Sequence, residues 1–266
     1  MQIRFLTVGG WAAYASRIRL LVGVVLVALL QASASISAWA QDQQETLAPW
    51  LDITIVQVKA GHQGEFEDLM KKITAANIKA KRPPTGVYQV VAGSPGTYHI
   101  LTGMQKLAEN DNPPPPPMKP EEMANVVNRL LPTLAEGHIL YARTFPQYQT
   151  QGDGDADAKL MLLRTVRVVA QRGDDFLKWV DNDLMPAMKK AKMGVTVSQG
   201  IFGDSPQNYY FASPVANWAA LDQPDPLRES MGAKAYQQML DKLKGVIESN
   251  ELTLLRFRDD LSNPTD

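Results

Sequence analysis

The chain contains no cysteine. Disulfides, thiolate nucleophiles and cysteine-ligated metals are therefore excluded, and the fold must rest on its apolar core. Histidine is nearly as scarce: His62, His99 and His138 are the only three in 266 residues. No two of them have the spacing of a helical or hairpin ligand pair, so no metal is expected. No Gly-rich phosphate loop follows a strand, no serine sits in a G-x-S-x-G, and no paired carboxylates stand out; no cofactor is expected either. Excess positive charge is also missing. The formal net charge is −1, and setting aside the arginines at positions 4, 17 and 19 leaves 24 basic against 28 acidic residues. Nucleic acid is not an expected partner of such a chain.

What is present begins with a leader. Arg4, Arg17 and Arg19 precede the apolar stretch Leu20–Leu30, and a small-residue tail ends in Ala38-Trp39-Ala40. Eleven apolar residues are too few for a bilayer span of about 20. The pattern predicts a signal peptide over 1–40, cleaved after Ala40, and export to the periplasm or the medium, with no membrane attachment after cleavage. Residues 41–49 read as a disordered mature N-terminus.

Beyond the leader the chain says one thing twice. "AGSPGTYHI" and "FGDSPQNYYF" share a Ser-Pro turn followed by a tyrosine that opens an apolar run, and Pro95 and Pro206 lie 111 apart. A β-branched segment, a helical stripe, a hairpin, a loop, a second stripe and a last strand recur in the same order, with Phe66 and Phe176 110 apart and Arg143 and Arg256 113 apart. This predicts a tandem repeat: 50–148, a linker over 149–159, 160–261, and a tail over 262–266. The linker's Asp153, Asp155 and Asp157 fail the calcium-loop pattern, because Ala158 and Arg164 occupy its sixth and twelfth positions.

The order β-α-β-β-α-β predicts an α+β fold of two ferredoxin-like units. Leu51, Ile53 and Ile55 alternate with Val56 and Val58, so both faces of the first sheet are apolar. The simplest expectation is two antiparallel sheets packed face to face as an intramolecular α/β barrel. The strand "LDITIVQVKAG", the Ser-Pro hairpins with "TYHI" and "NYYF", and "NWAALD" resemble the dimeric α/β-barrel superfamily, within it the NIPSNAP-like and antibiotic-biosynthesis-monooxygenase-like members. The resemblance implies a barrel built from two units. Haem-degrading relatives place Asn, Trp and His at their site, and neither half here carries that full set.

Candidate site residues follow from placement. Arginine in mid-strand of a covered sheet must pair or bind an anion. Arg143, Arg256, Arg164 and Arg167 are thus candidates to hold a carboxylate or phosphate inside the barrel; the alternatives are solvent-exposed strand edges or internal pairs with Asp52 or Asp259. Tyr98, Tyr209, Tyr210 and Trp218 are candidates to line an aromatic pocket, or to serve as strand and core residues. His99 and Asp183 are the weak catalytic candidates. The reading leans away from catalysis, towards an exported protein that binds a small apolar or anionic ligand or a protein partner. The alternatives are a cofactor-independent monooxygenase or isomerase of the same fold, and a structural or assembly protein with a solid core. A monomer forming its own pseudo-dimer is expected, with higher oligomers left open.

Overall fold

Alternating β-branched and polar residues form the first strand, β1 (Trp50–Val58). Phe66, Leu69, Met70 and Ile73 then recur at helical spacing and are the buried face of α1 (Gln63–Lys79), which Pro83 and Pro84 keep from continuing. A hairpin follows, β2 (Thr85–Ala92) and β3 (Thr97–Met104), then a 3₁₀ turn at Leu107–Asp111, α2 (Pro120–Leu130) and β4 (Leu134–Thr144). The second half runs β5 (Leu160–Val168), α3 (Gly173–Trp179), α4 (Met185–Lys190), β6 (Thr196–Phe202), β7 (Asn208–Val215), α5 (Trp218–Leu221), α6 (Pro226–Met231), α7 (Ala233–Asp241) and β8 (Ile247–Phe257). This computed structural model describes residues 48–152, 155 and 158–263. The expected leader, Asp153 and Asp157 lie outside the described residues.

The expected face-to-face pair of ferredoxin-like units is not what forms. All eight strands join one closed antiparallel barrel in the order β1-β3-β2-β8-β5-β7-β6-β4, with β4 pairing back onto β1. The halves meet edge to edge, β8 on β2 and β6 on β4. Closure pairs every edge that two separate sheets would leave open. Each seam carries a β-bulge, between Val90 and Ala92 and between Tyr141 and Ala142, which supplies the local bend that closure needs.

Closure also explains the doubly apolar strands. Ile53, Leu140 and Ala142 cluster inside the barrel with Leu51, Ile55 and Leu101. The opposite faces lie outside, under helices. Val56, Val58, Tyr98 and Ile100 pack on Phe66, Leu69 and Ile73 of α1, while Val166, Val168, Tyr209 and Phe211 pack on Phe176, Met188 and Met239.

Two local departures have clear causes. The apolar spacing of Tyr236, Met239, Leu240, Leu243, Val246 and Ile247 predicts one helix, but α7 stops at Asp241, Gly245 adopts φ +72°, and Ile247 opens β8. Pro186 has no N–H to give, and the helix before it widens into a π turn at Val180–Leu184. A third position is set by closure itself. Gly203 follows β6 at φ +74°, and a Cβ there would run into the carbonyl oxygen of Ile139 on β4. Gly203→Ala is expected to cost about 2 kcal/mol or more, read from the denaturant midpoint; an unchanged midpoint would show that this seam has slack.

Candidate functional site

On the outer face of the first half, one row of paired residues crosses four strands: Tyr141 (β4), Asp52 (β1), Thr102 (β3) and Thr85 (β2). Asp52 shares this face with Val56 and Val58, so strand alternation puts a carboxyl where an apolar side chain would normally pack. It is only 6% exposed, and no described cation pairs with it. Burial alone pushes its carboxyl up to about 7. The 3₁₀ turn Leu107–Asp111 brings Asn110 to the same place. The Asn110 side chain hydrogen-bonds Tyr141, whose hydroxyl is raised by burial and then by the charge of Asp52. Asn110 Oδ1 itself is buried without a partner. On the other flank the Thr85 and Thr102 hydroxyls share a hydrogen bond of 3.1 Å.

Chemically this is a carboxyl half-ionised near neutrality, flanked by a phenol and an amide. Such a group can take a proton and return it at physiological pH. None of Asp52, Tyr141 and Asn110 was marked by motif. The legible signal was an acid at a core-facing position of an otherwise apolar strand.

The sequence candidates fall elsewhere. His99 pairs with Ile55 on the face opposite Tyr98 and so points into the barrel, where burial and then the nearby His138 lower it to about 4. It is a neutral imidazole there. Asp183 lies on the π turn and accepts from Lys242 Nζ at 2.6 Å, as an ion pair and not as a free base. All four arginines are exposed. Arg164 donates to Asn250 and Arg167 pairs with Glu248, whereas Arg143 stands outside the barrel beside Trp50. The expectation of a basic group inside the barrel finds no arginine in these positions.

The tyrosines divide by face. Tyr98 is fully buried under α1 and donates to Glu67 Oε1 at 2.6 Å. Tyr209 packs on Phe176 at 4.8 Å. Tyr210 faces the other way and donates to Asp204, with burial first and that carboxylate second raising its hydroxyl. Only Arg256 and Trp218 are brought together, at a hollow of about 410 Å³ on the β2–β8 seam. Among the described residues no three His, Asp or Glu side chains converge as a metal centre would need.

No protein-family model matches the chain, and no curated protein matches it. Solved structures do. A provisionally named monooxygenase from Lactobacillus acidophilus superposes with a TM-score of 0.54 at 15% identity, covering 81% of this chain and 95% of that one. Another from Fusobacterium nucleatum gives 0.53 at 10% identity, over 79% and 93%. An anthrone oxidase-like protein gives 0.54 at 10% identity, over 79% and 91%. These likenesses carry nothing for the NIPSNAP-like branch or for duplication of one unit. What they do establish is the fold: the chain shares the architecture of these structures, here a closed eight-stranded antiparallel barrel formed by one polypeptide.

Proposed function

We propose that the protein is a cofactor-independent oxygenase or oxidase that acts on a small, acidic aromatic substrate at the Asp52 face. The observation that carries this reading is Asp52 itself: a buried carboxyl with no paired cation, raised to about 7, beside an amide oxygen that lacks a partner. A purely structural residue at this position would be more stable as an apolar side chain, since burying an unpaired carboxyl is costly. The names of the structural neighbours point the same way, although the likeness itself extends only to the fold.

In the proposed reaction Asp52, in its carboxylate form, takes a proton from an activated C–H or O–H of the substrate. Tyr141 and Asn110 orient the substrate oxygen. The resulting carbanion is electron-rich enough to react with dioxygen directly. For a methylene between two aromatic rings, the CH₂ and one O₂ become C=O and H₂O, with no outside reductant. Asp52 returns its proton to the departing oxygen and is regenerated.

Oxygen uptake with anthrone, corrected for the uncatalysed rate, tests this. The enzymic rate is expected to rise with pH through a midpoint near 7, as Asp52 ionises. A rate that is flat from pH 5.5 to 8.5, or equal to the buffer blank, would refute the proposal.

A further inference from the structure

The hollow on the β2–β8 seam lies in neither half alone. β2 and the Ser94-Pro95-Gly96 turn of the first half form one wall, with Gln63 at the start of α1, and Arg256 on β8 and Trp218 at the start of α5 form the other. Arg256 pairs across the seam with Gln89, so the two side chains stand next to one another outside the barrel. Three features of the hollow bear on what it could hold.

First, among the described residues Arg256 is the only charged one lining it. Among the described residues no carboxylate or carbonyl engages its guanidinium. Two positions on, Arg258 is saturated by Glu67, Asp260 and Gln89. One strand end thus presents two guanidiniums, one fully matched and one open to the cavity.

Second, Gln89 is fixed. Its Oε1 accepts from Arg258 at 3.2 Å and its Nε2 donates to Tyr98 at 3.3 Å, which leaves one amide N–H to offer.

Third, Trp218 is 52% exposed although it is the largest apolar side chain of its segment. Its backbone is held by Asn217, whose Oδ1 caps α5 by accepting from the Ala220 N–H at 3.1 Å. The indole is therefore presented at the cavity by a capped turn and is not buried by it.

A planar cation, an indole face and a fixed amide donor around about 410 Å³ match an aromatic ring that carries a carboxylate. We propose that this seam hollow is a binding site for aryl carboxylates, separate from the Asp52 face. The carboxylate takes the Arg256 fork and the Gln89 N–H, and the ring lies on Trp218.

Calorimetric titration of the full-length protein with 2-naphthoate, 2-naphthalenemethanol and acetate tests the assignment. 2-Naphthoate is expected to bind, more tightly than the neutral alcohol, and acetate not measurably. Arg256→Gln should weaken 2-naphthoate about tenfold or more while leaving the alcohol unchanged. Arg256→Lys should fall between, because it keeps the charge and loses the fork. Trp218→Ala should weaken both naphthalene probes alike. Both side chains are exposed, so the variants should unfold at the wild-type temperature, which circular dichroism verifies. Asp52→Asn discriminates the sites: it should leave 2-naphthoate binding intact. No binding at millimolar 2-naphthoate, unchanged affinity in Arg256→Gln, or loss of binding in Asp52→Asn would each overturn the assignment.

Discussion

Asp52→Asn is expected to abolish anthrone-dependent oxygen uptake and, at the same time, to stabilise the protein at pH 8. Loss of a positioned base should lower the rate by roughly 10²–10⁴-fold. The stability gain has a separate origin. A carboxyl moved from 3.8 to about 7 holds its proton more tightly folded than unfolded, a difference worth up to about 4 kcal/mol at about 1.36 kcal/mol per tenfold in affinity. Its stabilising contribution is complete below pH 4 and is lost as the pH rises through 7. The variant, an uncharged near-isostere, avoids that loss. The two proteins should therefore be about equally stable at pH 4 and diverge up to pH 7, above which the gap stays constant. Urea midpoints across this range measure it. A variant that is inactive but no more stable at pH 8 than the wild type would show that Asp52 is not a buried, unpaired acid. His99 acts in the opposite sense, because its lowered value of about 4 makes the fold lose stability as the pH drops from 6.5 to 4. The Asp52→Asn background exposes that acid-side slope by itself.

The second large effect belongs to Arg258, just beyond the last strand. Its guanidinium grips Glu67 with two bonds, 2.6 and 2.9 Å, and Asp260 with two more, 2.8 and 2.9 Å. The Arg258 and Glu67 side chains are only 16% and 21% exposed, unlike the surface pairs elsewhere on the protein. Around them the end of the chain is stitched to the first half: Arg258 N–H to Val87 O, Val87 N–H to Ser262 Oγ, and Thr74 Oγ1 to Leu261 O. Arg258→Met should strand Glu67 with Tyr98 alone and cost about 3 kcal/mol. In a chain of this size that corresponds to a fall in Tm of about 6–12 °C. Arg258 lowers both carboxylates, Asp260 to about 2. Their contribution is present above the ordinary carboxylate range and lost as the pH falls towards 2, so wild type and variant should converge in acid. Glu67→Gln should cost less, since Arg258 keeps Asp260. A fall in Tm below 2 °C for Arg258→Met would place this cluster with ordinary surface pairs.

Much of the local structure is legible in the sequence because short-range chemistry decides it. The alternation of Leu51 to Val58, the stripe Phe66-Leu69-Met70-Ile73 and the Ser-Pro turns each name their element. Alternation also shows that two faces of each sheet must be hidden. It does not say how, because face-to-face packing and edge-to-edge closure bury similar side chains. The choice rests on backbone edges, which carry no side-chain signature beyond bulges such as that at Val90 and Ala92. The site follows the same division. Asp52 was readable from its parity within one strand, whereas Asn110 reaches Tyr141 only through a turn whose position is tertiary. Arg256 and Arg258 look alike in sequence, and only the arrival of Glu67 from α1 makes one a structural clamp and leaves the other open.

The barrel's ring has a consequence for how the molecule is made. β8 follows the other seven described strands in the chain, and it completes two ladders at once, with β5 and with β2. Until it emerges, the rim of β2 stays bare, waiting for Leu254 and Leu255 to meet Ala92 and Val90 some 165 positions earlier in the chain. Every nascent copy therefore passes through a stage with a naked, sticky flank, which makes this a natural client for a holding chaperone and makes loss of β8 far more damaging than its eleven residues suggest.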